Sequence, residues 1–256
     1  MSSKMESRDF VSSLARGLAV IRSFGEDAQA LTLSEVAQRT AMSRAAARRF
    51  LLTLDELGYV TTVDRRFCLT PRVLDLGYAY LSSRDLPRAA HPFIEKVTVA
   101  TQEACSVCVL DGTEVVYVAK VPGTRVMTST HSVGNRVPAY PTSMGRVLLA
   151  ALAPAALDRY FAEAEIEKLT RYTVTDEQAL RGVLKQVAAD GYSVVDQELE
   201  EGLRSIAVPI LDKTGGVAAA LTVCASSSRI EVDAMIRDFL PTMREAAAGL
   251  SAFLSR

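Results

Sequence analysis

Residues 32–57 read TLSEVAQRTAMSRAAARRFLLTLDEL, two helices joined by a tight turn. Thr32 and Glu35 have the spacing of a capping box, in which the hydroxyl accepts the Glu35 amide and the carboxylate accepts the Thr32 amide. Leu33, Val36 and Ala37 give the first helix an apolar face. Thr40-Ala41-Met42 is the turn, and Ser43 is a good N-cap for the second helix. Ala47, Leu51 and Leu54, with Phe50 and Leu57, set that helix on a core. Arg44, Ala45, Arg48 and Arg49 occupy its outer face. Four arginines fall between Arg39 and Arg49, and no acid falls between Glu35 and Asp55. Two short helices, the second basic on its outer face, fit a helix-turn-helix whose recognition helix enters the major groove. Ala45 and Ala46 let the backbone approach DNA. Arg44 and Arg48, one turn apart, reach guanine edges or phosphates. An ordinary amphipathic pair with a solvated basic face is the alternative. Cap, turn length, small residues and arginine clustering together weigh against it.

Upstream, Val11, Leu14, Leu18, Ile21 and Phe24 recur at helical spacing, and Gly25 stands where a C′ glycine belongs. Downstream, Gly58 stops the second helix. Tyr59–Val63 and Phe67–Leu69 read as strands around Asp64-Arg65-Arg66, which makes the module a winged helix-turn-helix. Arg65 and Arg66 at the wing tip contact phosphate or simply solubilise a turn, and both readings stay open. The candidate DNA contacts are Arg16, Thr32, Ser43, Arg44, Ala45, Arg48, Arg49 and Arg65. Pro71 opens a helix to about Asp85, taken as a linker that Leu86-Pro87 ends. A new amphipathic helix follows to about Gln102.

The remainder alternates strands and helices. Cys105–Asp111 and Glu114–Val121 form a hairpin around Asp111-Gly112, and Val126–Ser132 reads as strand or loop. Helices are expected at Ser143–Leu152, from Pro154, and at Asp176–Asp190 with Thr175 as its cap. Strands follow at Tyr192–Asp196, Ser205–Asp212 and Val217–Ala225, then a helix at Val232–Leu254 bent near Pro241. This is an α+β pattern with an antiparallel sheet. The expected division is residues 1–70 for the winged module, 71–86 for the linker and 87–256 for the second domain.

A chain of 256 residues accommodates about two domains. No apolar run approaches the ~18 residues that span a bilayer, and MSSKMESRDF lacks an apolar signal core, so a cytoplasmic protein with no membrane partner is expected. Net charge is −1, but residues 1–86 carry 12 Lys and Arg against 10 Asp and Glu, and the rest 17 against 20. Basic character is therefore local. Cys105 and Cys108 form a CxxC in a predicted strand, where positions three apart face opposite sides. With His91 and His131 they complete no metal-ligand pattern. Neither a metal nor a cofactor is implied.

Several polar residues fall where a buried sheet prefers apolar ones. Pro141-Thr142-Ser143-Met144-Gly145 leads into a helix whose amides favour an anion, although taken alone it is better read as a plain N-cap. Thr222 and Cys224 share one strand face, with Ser205 on the neighbouring arm. Buried polar groups need partners, and a ligand can supply them.

Across nearly its whole length the chain resembles the IclR family of bacterial transcriptional regulators. The matching residues include Ser13–Leu18, Leu31–Ala37, Leu54–Tyr59, Leu69–Leu74, Arg136–Ala150 and Gln197–Pro209. Asp9-Phe10-Val11, Ala45–Leu52 and Pro138–Arg146 look most like the branch that regulates the protocatechuate and β-ketoadipate pathway. The resemblance implies a winged-helix DNA-binding domain, a linker helix and a GAF-like effector domain, in dimers or dimers of dimers on palindromic operator DNA. It implies a small carboxylic or aromatic acid effector held by Val126, Ser129, Ser143, Met144, Asp196, Ser205, Thr222 and Cys224. Ser205 and Cys224 depart from the cysteine and serine common at those places, which puts ligand identity, not the pocket, in doubt. Arg136 and Arg204 are candidate counter-charges, or else structural partners of Asp196 or Glu198. An enzyme reading is disfavoured: no nucleophile–base pair is visible, and both histidines lie outside the polar cluster. An architectural DNA-binding protein with an inert second domain is disfavoured by the inward polar positions.

Overall fold

The computed structural model describes residues 10–25, 27–83, 85–125 and 131–255. They form two compact units, Met1–Tyr80 and Leu81–Arg256. The first contains α1 (Ser12–Arg22), β1 (Ala30–Leu31), α2 (Leu33–Arg39), α3 (Arg44–Glu56), β2 (Val60–Val63) and β3 (Arg66–Leu69). The capping box forms: the Thr32 amide donates to the Glu35 carboxylate at 2.6 Å, and the Glu35 amide donates to Thr32 Oγ1 at 3.3 Å. Ser43 Oγ accepts the Ala46 amide at 3.2 Å and starts α3. Val20, Val36, Ala47, Leu51, Leu54 and Val60 close one core.

The three strands pair antiparallel in the order β1-β3-β2. The short β1 was not expected. The wing turn holds two residues rather than three. Asp64 (φ 48°) and Arg65 (φ 63°) both lie in the left-handed region, as in a type I′ hairpin. Arg66 joins β3 and its guanidinium contacts the Glu35 carboxylate at 3.4 Å, which leaves Arg65 at the tip. Gly25 is not a C′ residue: α1 ends at Ser23, whose hydroxyl donates to the Val20 carbonyl at 2.7 Å.

The connection between the units also differs from expectation. A 3-10 turn at Pro71–Val73 leads into α4 (Leu74–Ser83), and α5 (Asp85–Thr101) runs through Pro87. Pro87 is the third residue of α5, in a first turn whose amides have no intrahelical acceptor, so it begins this helix rather than ending its predecessor.

The second unit carries a six-stranded antiparallel sheet in the order β6-β5-β4-β9-β8-β7. Its strands are β4 (Ala104–Asp111), β5 (Glu114–Val121), β6 (Arg136–Pro138), β7 (Ser193–Asp196), β8 (Leu203–Leu211) and β9 (Val217–Ser226). Alternation assigns the faces. Val107, Ile206, Leu221 and Val223 pack with α5 and α9 (Val232–Leu254). Tyr117, Ala207 and Ala220 pack with α6 (Ser143–Ala150), α7 (Pro154–Glu163) and α8 (Glu177–Asp190). Cys105 and Cys108 belong one to each core, on opposite faces. Asp176, not Thr175, caps α8, accepting the Ala179 amide at 2.8 Å. Helix α9 continues through Pro241.

The turn between α2 and α3 stores strain. The Met42 amide donates to the Ala37 carbonyl at 2.9 Å and the Ala41 amide to Gln38 at 3.2 Å, the bonding of a Schellman cap. Its left-handed residue, φ 51°, is Ala41 rather than glycine. A left-handed Cβ costs ~1–2 kcal/mol, against ~0.5–1 kcal/mol of extra glycine entropy. Ala41→Gly is therefore expected to stabilise the unit by roughly 0.5–1 kcal/mol, read as a higher urea midpoint at unchanged slope.

Candidate nucleic-acid interface and ligand cavity

Helix α3 exposes Arg44, Ala45, Arg48 and Arg49, with exposed Ser43 at its start. None of these three arginines meets a carboxylate among the described residues: no acid falls between Glu35 and Asp55, and Glu35 is held by Thr32 and Arg66. Arg16 of α1 and Arg49 of α3 line a shallow groove of about 270 Å³ between the two helices. Thr32 serves the α2 cap and is half-buried. Arg65 projects from the wing. A helix with unneutralised guanidinium groups, small side chains between them and a cationic hairpin tip is what backbone-phosphate and base-edge contacts require.

The second site lies under α6. Residues Ser143 to Leu149 are all buried. A Cβ on Gly145 would meet the Ala139 carbonyl oxygen at 2.0 Å, so α6 sits directly on the chain that leaves β6. Thr142 accepts the Gly145 amide at 3.1 Å and donates to the Ala139 carbonyl at 3.0 Å. This places Ser143 Oγ 3.3 Å from Thr222 Oγ1, which also donates to the Ile206 carbonyl at 3.1 Å.

Two small chambers meet beside α6, at Tyr117, Leu203 and Cys224. The inner one, about 10 Å³, is walled by Met144, Leu199, Leu203, Ser205, Tyr117 and Cys224. The outer one, about 130 Å³, is walled by Ser106, Tyr117, Lys120, Arg125, His131, Leu203 and Cys224. Tyr117, Leu203 and Cys224 belong to both. The Ser106 and Ser205 side chains are nine-tenths buried, line the cavity and make no hydrogen bond among the described residues.

A bulge arranges the outer chamber. The β4–β5 register shifts between Val107 and Cys108, so that Ala119 faces Val107 and Tyr117 faces Cys108. Val118 becomes the extra residue. Lys120 and Tyr117, three apart, thereby share the cavity face. Their ring and ammonium both meet His131: Tyr117 stacks on its imidazole at 5.3 Å, and Lys120 donates to its carbonyl. Sequence reasoning missed Ser106, Tyr117, Lys120 and Leu203, and left His131 outside the polar cluster. Tyr117 and Lys120 share a face only through the bulge, which has no local sequence mark here, and Ser106 and Leu203 needed the registers of β4 and β8 on β9.

Of the expected effector residues, Met144, Ser205 and Cys224 line the chambers, while Ser143 and Thr222 are bonded to each other beside them and line neither. Val126 and Ser129 lie outside the described residues. Asp196 faces Arg204, whose guanidinium donates to both its oxygens at 2.8 and 2.9 Å, and it lines neither chamber. Arg204 is thus structural. Arg136 is held by Asp111 and Glu114, each at 2.7 Å, rather than by Asp196 or Glu198. Glu198 instead pairs with buried Arg146 at 2.7 Å. The cavity's cations are Lys120 and Arg125. Burial pushes the Cys224 thiol up to about 11 and the Tyr117 phenol well above its usual range, so both walls are neutral and non-nucleophilic near neutral pH.

A basic winged helix-turn-helix joined to a sheet domain with a buried, polar-floored cavity defines a ligand-responsive DNA-binding regulator. Residues 13–64 match the IclR helix-turn-helix domain, and residues 78–252 match the bacterial transcriptional regulator IclR C-terminal domain. The chain belongs to the IclR family. It is 44% identical to the Pca regulon regulatory protein of Pseudomonas putida over 94% of this chain and 84% of that one. A solved protein of Rhodococcus sp. RHA1 is 48% identical, with TM-score 0.87 over 96% of this chain and 99% of that chain. An IclR homolog of Microbacterium hydrocarbonoxydans, solved with 4-hydroxybenzoate, is 27% identical, with TM-score 0.83 over 94% of this chain and 98% of that chain. Among the described residues, no helix is long and apolar enough to cross a membrane.

The raised thiol sets a pH dependence. The folded pKa of Cys224 lies above that of a free thiol, so its thiolate is scarcer in the native state. At pH 8 the thiolate is therefore a small minority. Alkylation of Cys224 in native protein, followed by peptide mass mapping, is expected to be negligible at pH 8 and to rise steeply towards pH 11. Modification at pH 8 at the rate of unfolded protein would contradict the raised pKa.

Proposed function

We propose that this protein regulates genes of aromatic-acid catabolism, binding a palindromic operator as a dimer or dimer of dimers. Residues 1–70 read the DNA, 71–86 act as linker and 87–256 bind the effector. Arg44, Ala45, Arg48 and Arg49 enter the major groove, Ser43, Thr32 and Arg16 contact or support the backbone side, and Arg65 reaches phosphate from the wing. The effector is a small hydroxylated aromatic acid of the protocatechuate or hydroxybenzoate kind, held by Ser143, Met144, Ser205, Thr222 and Cys224, with Val126, Ser129 and Asp196 completing the expected set. The observation that carries this reading is the cavity under α6. Two buried serine hydroxyls face it without partners, and an aromatic side chain forms its wall. Relatives named for the Pca regulon and for a 4-hydroxybenzoate complex support the ligand class. Transmission requires that the acid bind the two states of the regulator with different affinity.

The reading is tested by thermal shift against aromatic acids, including 4-hydroxybenzoate and protocatechuate, alone and with promoter DNA flanking the gene. An acid that binds the native state is expected to raise Tm and to change operator affinity. Arg44→Ala and Arg48→Ala are each expected to weaken operator binding, by roughly 1–3 kcal/mol with relaxed specificity for a base contact, or with a salt slope lower by about 1 for a phosphate contact. Footprints identical to wild type for both variants sink the groove assignment, and no response to any acid sinks the effector class.

A further inference from the structure

We infer that the outer chamber is the acid end of the effector site: Lys120 takes the carboxylate, and the ring's hydroxyl points inward to Ser205. This rests on the cavity proposed above and fixes the orientation of its ligand.

The register supplies the first argument. Lys120 lies opposite Ser106, and Ser106 opposite Thr222, in one row across β5, β4 and β9. Lys120 and Thr222 are two strand spacings apart, about 10 Å. A hydroxy acid with a benzene ring laid along that row from Lys120 passes Ser106 and carries its hydroxyl towards the inner chamber, where Ser205 lines the wall. Tyr117 stands beside the row and offers a ring face. Cys224, which pairs with Ser205 and Ala104, floors the next row.

Charge supplies the second. Arg125 and Arg229 share one buried carboxylate, Glu103. Arg125 contacts it at 3.3 Å and Arg229 at 3.1 Å. The cluster retains positive charge at the chamber wall. Lys120 is joined to a neutral carbonyl, that of His131, rather than to an acid, so its ammonium keeps hydrogens for an incoming anion. Glu103 is a positioning residue: it draws Arg125 to the rim without entering the chamber.

The α6 N-terminus is the competing acid site, and two observations weigh against it. Its end carries about half a charge, and Thr142 already accepts the Gly145 amide there. The inner chamber beside it has space for about one water, 10 Å³ against 130 Å³ outside. An ionised carboxylate placed there would lose its hydration with no full cation in the wall. A neutral hydroxyl loses far less.

Matched ligands separate the two orientations. Binding of 4-hydroxybenzoate and of 4-hydroxybenzamide is measured by calorimetry on the full chain, in wild type and in Lys120→Met, Lys120→Gln and Lys120→Arg. Wild type is expected to prefer the acid. Lys120→Met and Lys120→Gln are expected to lose roughly 10- to 100-fold in acid affinity while still binding the amide, which also reports an intact cavity. Lys120→Arg is expected to keep most of the acid preference. If either neutral variant folds and retains the wild-type acid-to-amide ratio, the acid end lies elsewhere and the inference is overturned. If wild type binds hydroxybenzoates and their amides not at all, the effector reading itself has failed, a distinct result.

Discussion

The carbonyl oxygen of Ala139 occupies the space that a side chain at position 145 would need, 2.0 Å from where its Cβ would lie. Glycine there lets α6 rest on the backbone that leaves β6, and everything under α6 depends on that approach. Ser143 to Leu149 become buried on all sides, which no amphipathic pattern would have asked of an eight-residue helix. The first turn is fixed twice by Thr142, as acceptor and donor. The middle is fixed by Arg146, whose guanidinium reaches the Tyr140 carbonyl at 2.9 Å and Glu198 at 2.7 Å. Glu198 also accepts the Val174 amide at 2.9 Å. Burying such a pair costs several kcal/mol of desolvation. Its geometry must therefore be well satisfied, and a well-satisfied pair tolerates little displacement. The inner wall of the cavity is consequently rigid.

Sequence legibility followed the range of the interactions. Thr32, Glu35 and Ser43 declared α2 and α3 because caps act over three residues. The winged module was readable almost entirely, except that Asp64 and Arg65 close the wing in two left-handed residues and Arg66 turns back to Glu35. Thr222, Cys224 and Ser205 were readable as a polar patch because alternation places side chains without knowledge of strand order. Tyr117 and Lys120 were not. Strict alternation sends residues three apart to opposite faces, and the bulge at Val118 reverses that. Arg204 could not be assigned until the β7–β8 register placed Asp196 opposite it. Pro87 misled because proline is read as a stop, whereas in a first turn it is a start.

One rule about acids sorts the arginines of both units. Arg136, Arg146, Arg181, Arg204 and Arg229 each lie within 3.1 Å of a carboxylate, and those pairs tie loops and strands together. Arg44, Arg48 and Arg49 have no such partner among the described residues, because the sequence places no acid between Glu35 and Asp55 and α2 consumes Glu35 in its own cap. Exposed, unpaired guanidinium groups in a near-neutral chain gain little in stability and remain available to phosphate. The same reasoning separates Lys120 from its neighbours. A cation neutralised by a carboxylate gains little from a second anion, since binding it costs an existing pair. One held by a carbonyl keeps its full charge. Which positive residues bind and which build is therefore decided by where the acids are.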